Sequence, residues 1–235
     1  MRKPLVLGFS AAALLAAATV TNAADFFDNF DSYTTGSIQG KGGWAAWTGS
    51  DVSAAGEVTT ARAFSGTQSL EIASGDDTVQ TFTSIDNGTW SLTLEQFIPP
   101  TSGGTTWVIL MNQYPNNLNW SVNLKFDMTA GTVTSAEEAS ASATLVKDVW
   151  TPLRFDIDLD ASTVSIYYNN TFLTTHDWQN GGIDQLQGLD LYADSNQSGS
   201  VFYDQVRLTQ VPEPSSLALL LVGGLAFLVR ARKQA

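Results

Sequence analysis

The stretch Trp150-Thr151-Pro152-Leu153-Arg154-Phe155-Asp156-Ile157-Asp158-Leu159-Asp160 decides the fold class of this 235-residue chain. Leu153, Phe155, Ile157 and Leu159 alternate with Arg154, Asp156, Asp158 and Asp160, and a period of two puts the apolar side chains on one face and the charges on the other. Val164, Ile166 and Tyr168 repeat the alternation, and Asn169-Asn170 then supplies the positive-φ residues of a tight hairpin before Phe172. Further strands are expected over 69–73, 79–85, 90–97, 106–111, 120–128, 132–135, 189–193 and 201–208. Gly, Asn, Asp and Ser punctuate them. Around ten short strands of this kind predict an all-β, two-sheet antiparallel sandwich. Outside the two chain ends, helical character is confined to the Ala- and Glu-rich residues 135–144.

The ends read as addresses. Arg2 and Lys3 precede an apolar stretch from Leu5 to Val20, and the small residues Thr21 and Ala23 suit a signal-peptidase site. Residues 1–23 are therefore expected to be a signal peptide, cut by signal peptidase between Ala23 and Ala24, leaving a β-domain over 24–210. At the other end, Val211-Pro212-Glu213-Pro214 leads into an apolar run from Leu217 to Val229, followed by Arg230, Arg232 and Lys233. The prolines cannot continue a helix, the run behind them can form one, and the basic end favours the cytoplasmic side. A membrane helix is expected over about 215–229, shorter than the roughly 20 residues of a stable span, which suits a transient anchor.

This tail, residues 211–235, resembles the PEP-CTERM sorting tails of Gram-negative bacteria. The resemblance implies an exosortase, a membrane protease, as partner and cutting near the Pro-Glu-Pro. It also implies an inner-membrane stage with the β-domain in the periplasm, then a place on the cell surface or in the extracellular matrix, with a link to exopolysaccharide and biofilm.

Composition narrows the chemistry. The chain has 23 acidic against 11 basic residues, a net charge of −12. Five of the basic residues but only Glu213 of the acidic ones lie in the terminal segments, so residues 24–210 carry −16. Nucleic acid and anionic lipid are poor partners for such a surface. With no cysteine and one histidine, His176, thiol catalysis, Cys-ligated zinc and multi-His centres are excluded.

Within the domain, Phe27-Asp28-Asn29-Phe30-Asp31-Ser32-Tyr33, Gly42-Gly43-Trp44, the quoted strand, the Tyr167-Tyr168-Asn169-Asn170 hairpin and the closing segment from Val201 to Leu208 follow one another in a familiar order. That order resembles concanavalin A-like, or LamG-type, jelly rolls. The resemblance implies two stacked sheets of six or seven strands with the first and last strands adjacent. It also implies a superfamily of lectins, carbohydrate-binding modules, glycoside hydrolases and polysaccharide lyases.

Asp204 lies among Val201, Phe202, Tyr203 and Val206, and a carboxylate in so apolar a strand needs a partner. Structural calcium is one such partner. Similar sandwiches hold it between first and last strands, which makes Asp28, Asn29 and Asp31 the matching ligands. Alternatively, Asp204 turns outward or caps a turn.

Asp156, Asp158 and Asp160 have the strand spacing of a carboxylate pair, as does any exposed Asp-x-Asp strand. The glucanase pattern Glu-x-Asp-x-x-Glu is absent, and His176 lacks the neighbours that the lyases use. A solvated face and a loop histidine are the expected readings. Seven tryptophans offer platforms for sugar rings. Trp90, Trp120 and Trp150 fall in strands and are expected in the core, whereas Trp44, Trp47, Trp107 and Trp178 lie in or near turn-rich stretches and are the candidate ligand contacts. The reading is a non-catalytic module associated with extracellular polysaccharide, the alternatives being a glycoside hydrolase or lyase and a purely structural surface protein.

Overall fold

A computed structural model describes residues 26–83 and 85–211. The expected signal peptide with its Ala23-Ala24 cleavage site and the residues from Pro212 onward lie outside the described residues. Two antiparallel sheets stack face to face. The nine-stranded sheet holds β1 (Phe26–Asp28), β2 (Gly36–Ser37), β4 (Glu57–Thr59), β5 (Ser69–Ile72), β7 (Thr89–Phe97), β12 (Trp150–Asp158), β13 (Thr163–Tyr168), β14 (Thr171–Asp177) and β16 (Val201–Val211). The seven-stranded sheet holds β3 (Trp44–Ala46), β6 (Asp77–Thr81), β8 (Thr105–Gln113), β9 (Asn119–Asp127), β10 (Thr132–Ser135), β11 (Ser142–Thr144) and β15 (Gly188–Ala193).

The alternating stretch forms β12 with Leu153, Phe155 and Ile157 fully buried, and it pairs β7 on one side and β13 on the other. Asn169 and Asn170 take φ values of 49° and 59°, as the hairpin between β13 and β14 requires. β1 lies beside β16, Phe26 opposite Leu208, so the first and last strands are neighbours. A bulge in β16 between Asp204 and Arg207, with Gln205 at φ 53°, accommodates one extra residue. It lets Tyr203 and Val206 both enter the core while Asp204 and Arg207 leave it on the other face.

Four expectations need correction. The nine-stranded sheet is wider than the six or seven strands implied, because β1, β2 and β4 are two- and three-residue strands too short to show a period. Residues 135–144 form no helix: the chain turns after β10 and returns as β11. There Glu137 accepts from both the backbone N–H (3.1 Å) and the side-chain amide (2.7 Å) of Asn123. His176 lies on edge strand β14 rather than in a loop, mostly buried, with its Nε2 3.9 Å from Glu137. Among the tryptophans, Trp90 joins the core as expected, but Trp150 is half-buried on the outward face beside Phe97 and Phe64, and Trp120 is 36% exposed.

Candidate glycan-binding face

On the inner side of the seven-stranded sheet, Val108, Leu110, Leu189 and Leu191 join the main core. The alternate positions of the same strands face outward and form a second, smaller cluster of Val79, Ile109 and Met111, walled by Trp47, Trp107, Tyr114 and Tyr192. Strands apolar on both faces are expected where both faces are covered. Here aromatic rings do the covering.

Trp47 is the hub of that wall. Its ring centroid lies 5.1 Å from that of Tyr114, whose hydroxyl donates to the Trp47 carbonyl oxygen at 3.0 Å. On its other side it stacks with Trp120 at 6.4 Å and 13° between planes. Trp120 sits on β9 opposite Met111 of β8, so the strand pairing brings it to the cluster. The result is a partly exposed shelf of two near-parallel indoles and a phenol. Trp107, farther along β8, is half-buried with its indole N–H directed at Asp194 (3.4 Å).

Beneath the aromatics lies a pair of acids. Asp190 of β15 is flanked by Val79 and Ile109 in neighbouring strands and is almost wholly buried, and Asp77 of β6 lies diagonally across from it. Burial raises the Asp190 carboxyl well above the usual carboxylate range, and the charge of Asp77 and a hydrogen bond to it push the same way. Burial raises the Asp77 carboxyl too, while its hydrogen bond with Asp190 lowers it, so the two acids titrate as a pair. Oδ1 of each is buried with no hydrogen-bond donor against it. Burial and the charges of Asp190 and Asp77 also raise the Tyr114 hydroxyl.

The candidate tryptophans thus divide. Trp47 and Trp107 reach this face, whereas Trp44 and Trp178 are fully buried in the main core. Trp44 donates its indole N–H to Asp28 at 3.0 Å, and Trp178 donates to the Gln185 carbonyl at 2.9 Å. Sequence reasoning assigned Trp120 to the core and passed over Asp77 and Asp190. The available signal was a lone acid between two leucines in Leu189-Asp190-Leu191, a pattern that marks a carboxyl surrounded by apolar neighbours.

The proposed calcium ligands are engaged otherwise. Asp28 accepts from Phe30 N (2.8 Å) through Oδ1, and from Tyr33 Oη (2.7 Å) and Trp44 Nε1 through Oδ2. Asp31 Oδ1 accepts from the backbone N–H groups of Thr67 (2.7 Å) and Gln68 (3.0 Å), and Asn29 donates its amide to Asp31 Oδ2 (2.9 Å). Asp204 is fully buried. Its Oδ2 clamps the N–H groups of Phe64 (2.8 Å) and Ser65 (3.1 Å), and Oδ1 accepts from Gln205 N (2.7 Å). These oxygens meet N–H and O–H donors, whereas calcium needs six to eight converging oxygens. Among the described residues no three acidic or histidine side chains converge on one point.

The Asp triplet also has partners within the fold. Asp156 accepts from Ser91 Oγ (3.0 Å), Asp158 from the N–H of Ala161 (2.8 Å), and Asp160 from that of Gly88 (3.1 Å).

The fold is the concanavalin A-like jelly-roll sandwich. The catalytic domain of a glycoside hydrolase family 131 protein from Coprinopsis cinerea superposes with a TM-score of 0.53 at 13% identity, over 80% of this chain and 97% of that one. A GH131 β-glucanase catalytic domain from Podospora anserina gives 0.51 at 14% identity, over 78% and 94%. A sialidase gives 0.54 at 10% identity over 81% of this chain, which spans only 19% of the sialidase's length. A search of curated proteins found no match. The particular feature of the chain is its tail: residues 210–233 match the PEP-CTERM protein-sorting motif, the mark of an exported protein sorted at a membrane and, in general, processed by an exosortase. Among the described residues no helix is long and apolar enough to cross a membrane; the run from Leu217 to Val229 lies outside them.

Proposed function

We propose that this is an exported protein, carried to the cell surface or matrix by its sorting tail, whose outward seven-stranded face binds extracellular polysaccharide without cleaving it. The observation that carries the reading is the shelf of Trp47, Tyr114 and Trp120, partly exposed and two of its rings near-parallel. Flat aromatic faces receive the C–H faces of sugar rings, and such large rigid side chains lose little entropy on binding.

The hydrolase reading has one observation in its favour, the Asp77–Asp190 pair beneath that shelf. Its geometry argues against glycoside cleavage. Asp77 and Asp190 lie within hydrogen-bond contact of each other, whereas retaining and inverting glycosidases hold their carboxyls about 5 to 9.5 Å apart to admit the scissile bond or a water. Asp190 is also covered by the cluster it sits in.

Affinity electrophoresis of the exported protein through gels containing a panel of polysaccharides tests binding. At least one polysaccharide is expected to retard it, with Trp47→Ala and Trp120→Ala each weakening retention about tenfold, the scale of one well-placed aromatic contact. No retardation by any of them defeats the reading, as does release of reducing ends or unsaturated sugars. For the tail, mass spectrometry of the mature surface protein should find a C-terminus near Pro212 to Ser215. An intact Ala235 would show that the tail is kept.

A further inference from the structure

The opposite face of the sandwich carries the arginines. All three among the described residues lie there, each with its guanidinium over an aromatic ring: Arg62 over Phe97 (4.2 Å), Arg154 over Tyr167 (3.9 Å) and Arg207 over Phe27 (4.2 Å). Thr93 of β7 pairs Arg154 of β12 on one side and Arg207 of β16 on the other. The two arginines thus stand two strand spacings apart, about 9.5 Å between backbones. Between them Thr93 and Glu95 floor a groove of about 260 Å³, with Phe64, Gln205 and Asn170 also lining it.

The charges in this groove are arranged for a guest. Arg154 touches Asp156 at 3.3 Å, but Arg207 has no carboxylate within ion-pair distance among the described residues. On a domain with so large an acidic excess, an arginine left facing a groove and held flat by a ring is preorganised to bind an anion. Glu95 lies across from Asp204, and burial followed by the Asp204 charge raises its carboxyl. An anionic guest therefore meets a carboxyl whose charged form burial already disfavours. Repulsion from the remaining acidic surface is screened beyond about 8 Å at physiological salt, so contact chemistry inside the groove decides.

We propose that this groove is a second glycan site that takes a uronic acid unit, its carboxylate between Arg154 and Arg207 and its hydroxyls on Glu95, Gln205 and Asn170. The aromatic shelf is on the other sheet, so the two sites stand or fall separately. A surface protein with two such faces bridges chains of matrix rather than merely adhering to one.

Isothermal titration of the exported protein with oligogalacturonate, oligoglucuronate and oligomannuronate, each beside its carboxyl-reduced counterpart, tests the site. At least one uronate oligomer is expected to bind, and its reduced form is not. Arg154→Gln and Arg207→Gln should each weaken binding about tenfold or more, the loss of one charge-assisted pair. Arg207→Lys, which keeps the charge but not the planar fork, should fall between. Both arginines are exposed, so the melting temperatures of these variants report that the fold survives. The site is overturned if no uronate oligomer binds, if the glutamine variants bind like the parent, or if the reduced oligomers bind equally well.

Discussion

Trp44→Ala is expected to lower the unfolding free energy by about 3–5 kcal/mol, the range for removing a large aromatic from a packed core. Trp44 is fully buried on β3, with Phe30 at 5.8 Å and Phe26 at 6.5 Å between ring centroids. Truncation opens a cavity among these rings and also takes from Asp28 the indole N–H it accepts, in a segment whose turn Asp28 holds through Phe30 and Tyr33. Trp44→Phe separates the two effects. It keeps most of the volume and loses only the hydrogen bond, so about 1–3 kcal/mol is expected. Urea unfolding of both variants against the parent measures the difference. A loss under about 1 kcal/mol in Trp44→Ala would mean that Trp44 is exposed, as its Gly-rich setting suggests.

The second large effect depends on pH. Because the folded Asp190 holds its proton above the unfolded Asp value of about 3.9, the folded state binds more protons than the unfolded one in the window between those values. Stability contributed by the pair is then full below the unfolded value and is lost as pH rises through the folded one. Asp190→Asn is neutral at every pH, and its amide can donate to an ionised Asp77. The variant should therefore lose this falling slope and melt above the parent at pH 8, by an amount on the order of 1–3 kcal/mol. Thermal melts of both proteins from pH 4 to 9 give the answer. Parallel curves would show that burial does not raise the Asp190 carboxyl.

What could be read in the chain, and what could not, follows from how much each signal depends on neighbours. β12 and β13 announce themselves because apolar and polar residues alternate within one strand, and the Asn169-Asn170 turn because its backbone conformation is a property of those two residues. The outward cluster on the seven-stranded sheet gives no such contrast. Trp107, Ile109 and Met111 alternate with Val108 and Leu110, so β8 is apolar on both faces and its period is invisible.

The tryptophans were sorted by local setting, and burial is set by partners distant in sequence. Trp44 in a Gly-rich loop is held inside by Asp28 and Phe30, while Trp120 in a strand is turned out toward Trp47. Asp204 had the same difficulty. Its need for a partner was readable, but the partners are the N–H groups of Phe64 and Ser65, some 140 residues earlier.

The sorting motif begins at residue 210, inside β16, where Gln210 still pairs Trp90 and Val211 pairs Thr89. A pull on the tail therefore enters the domain along the axis of its longest strand. The bonds to β7 run across that axis, so the load is shared among them in shear instead of unzipping them one by one. The strand that such a load would meet first pairs β1, β5 and β7 at once.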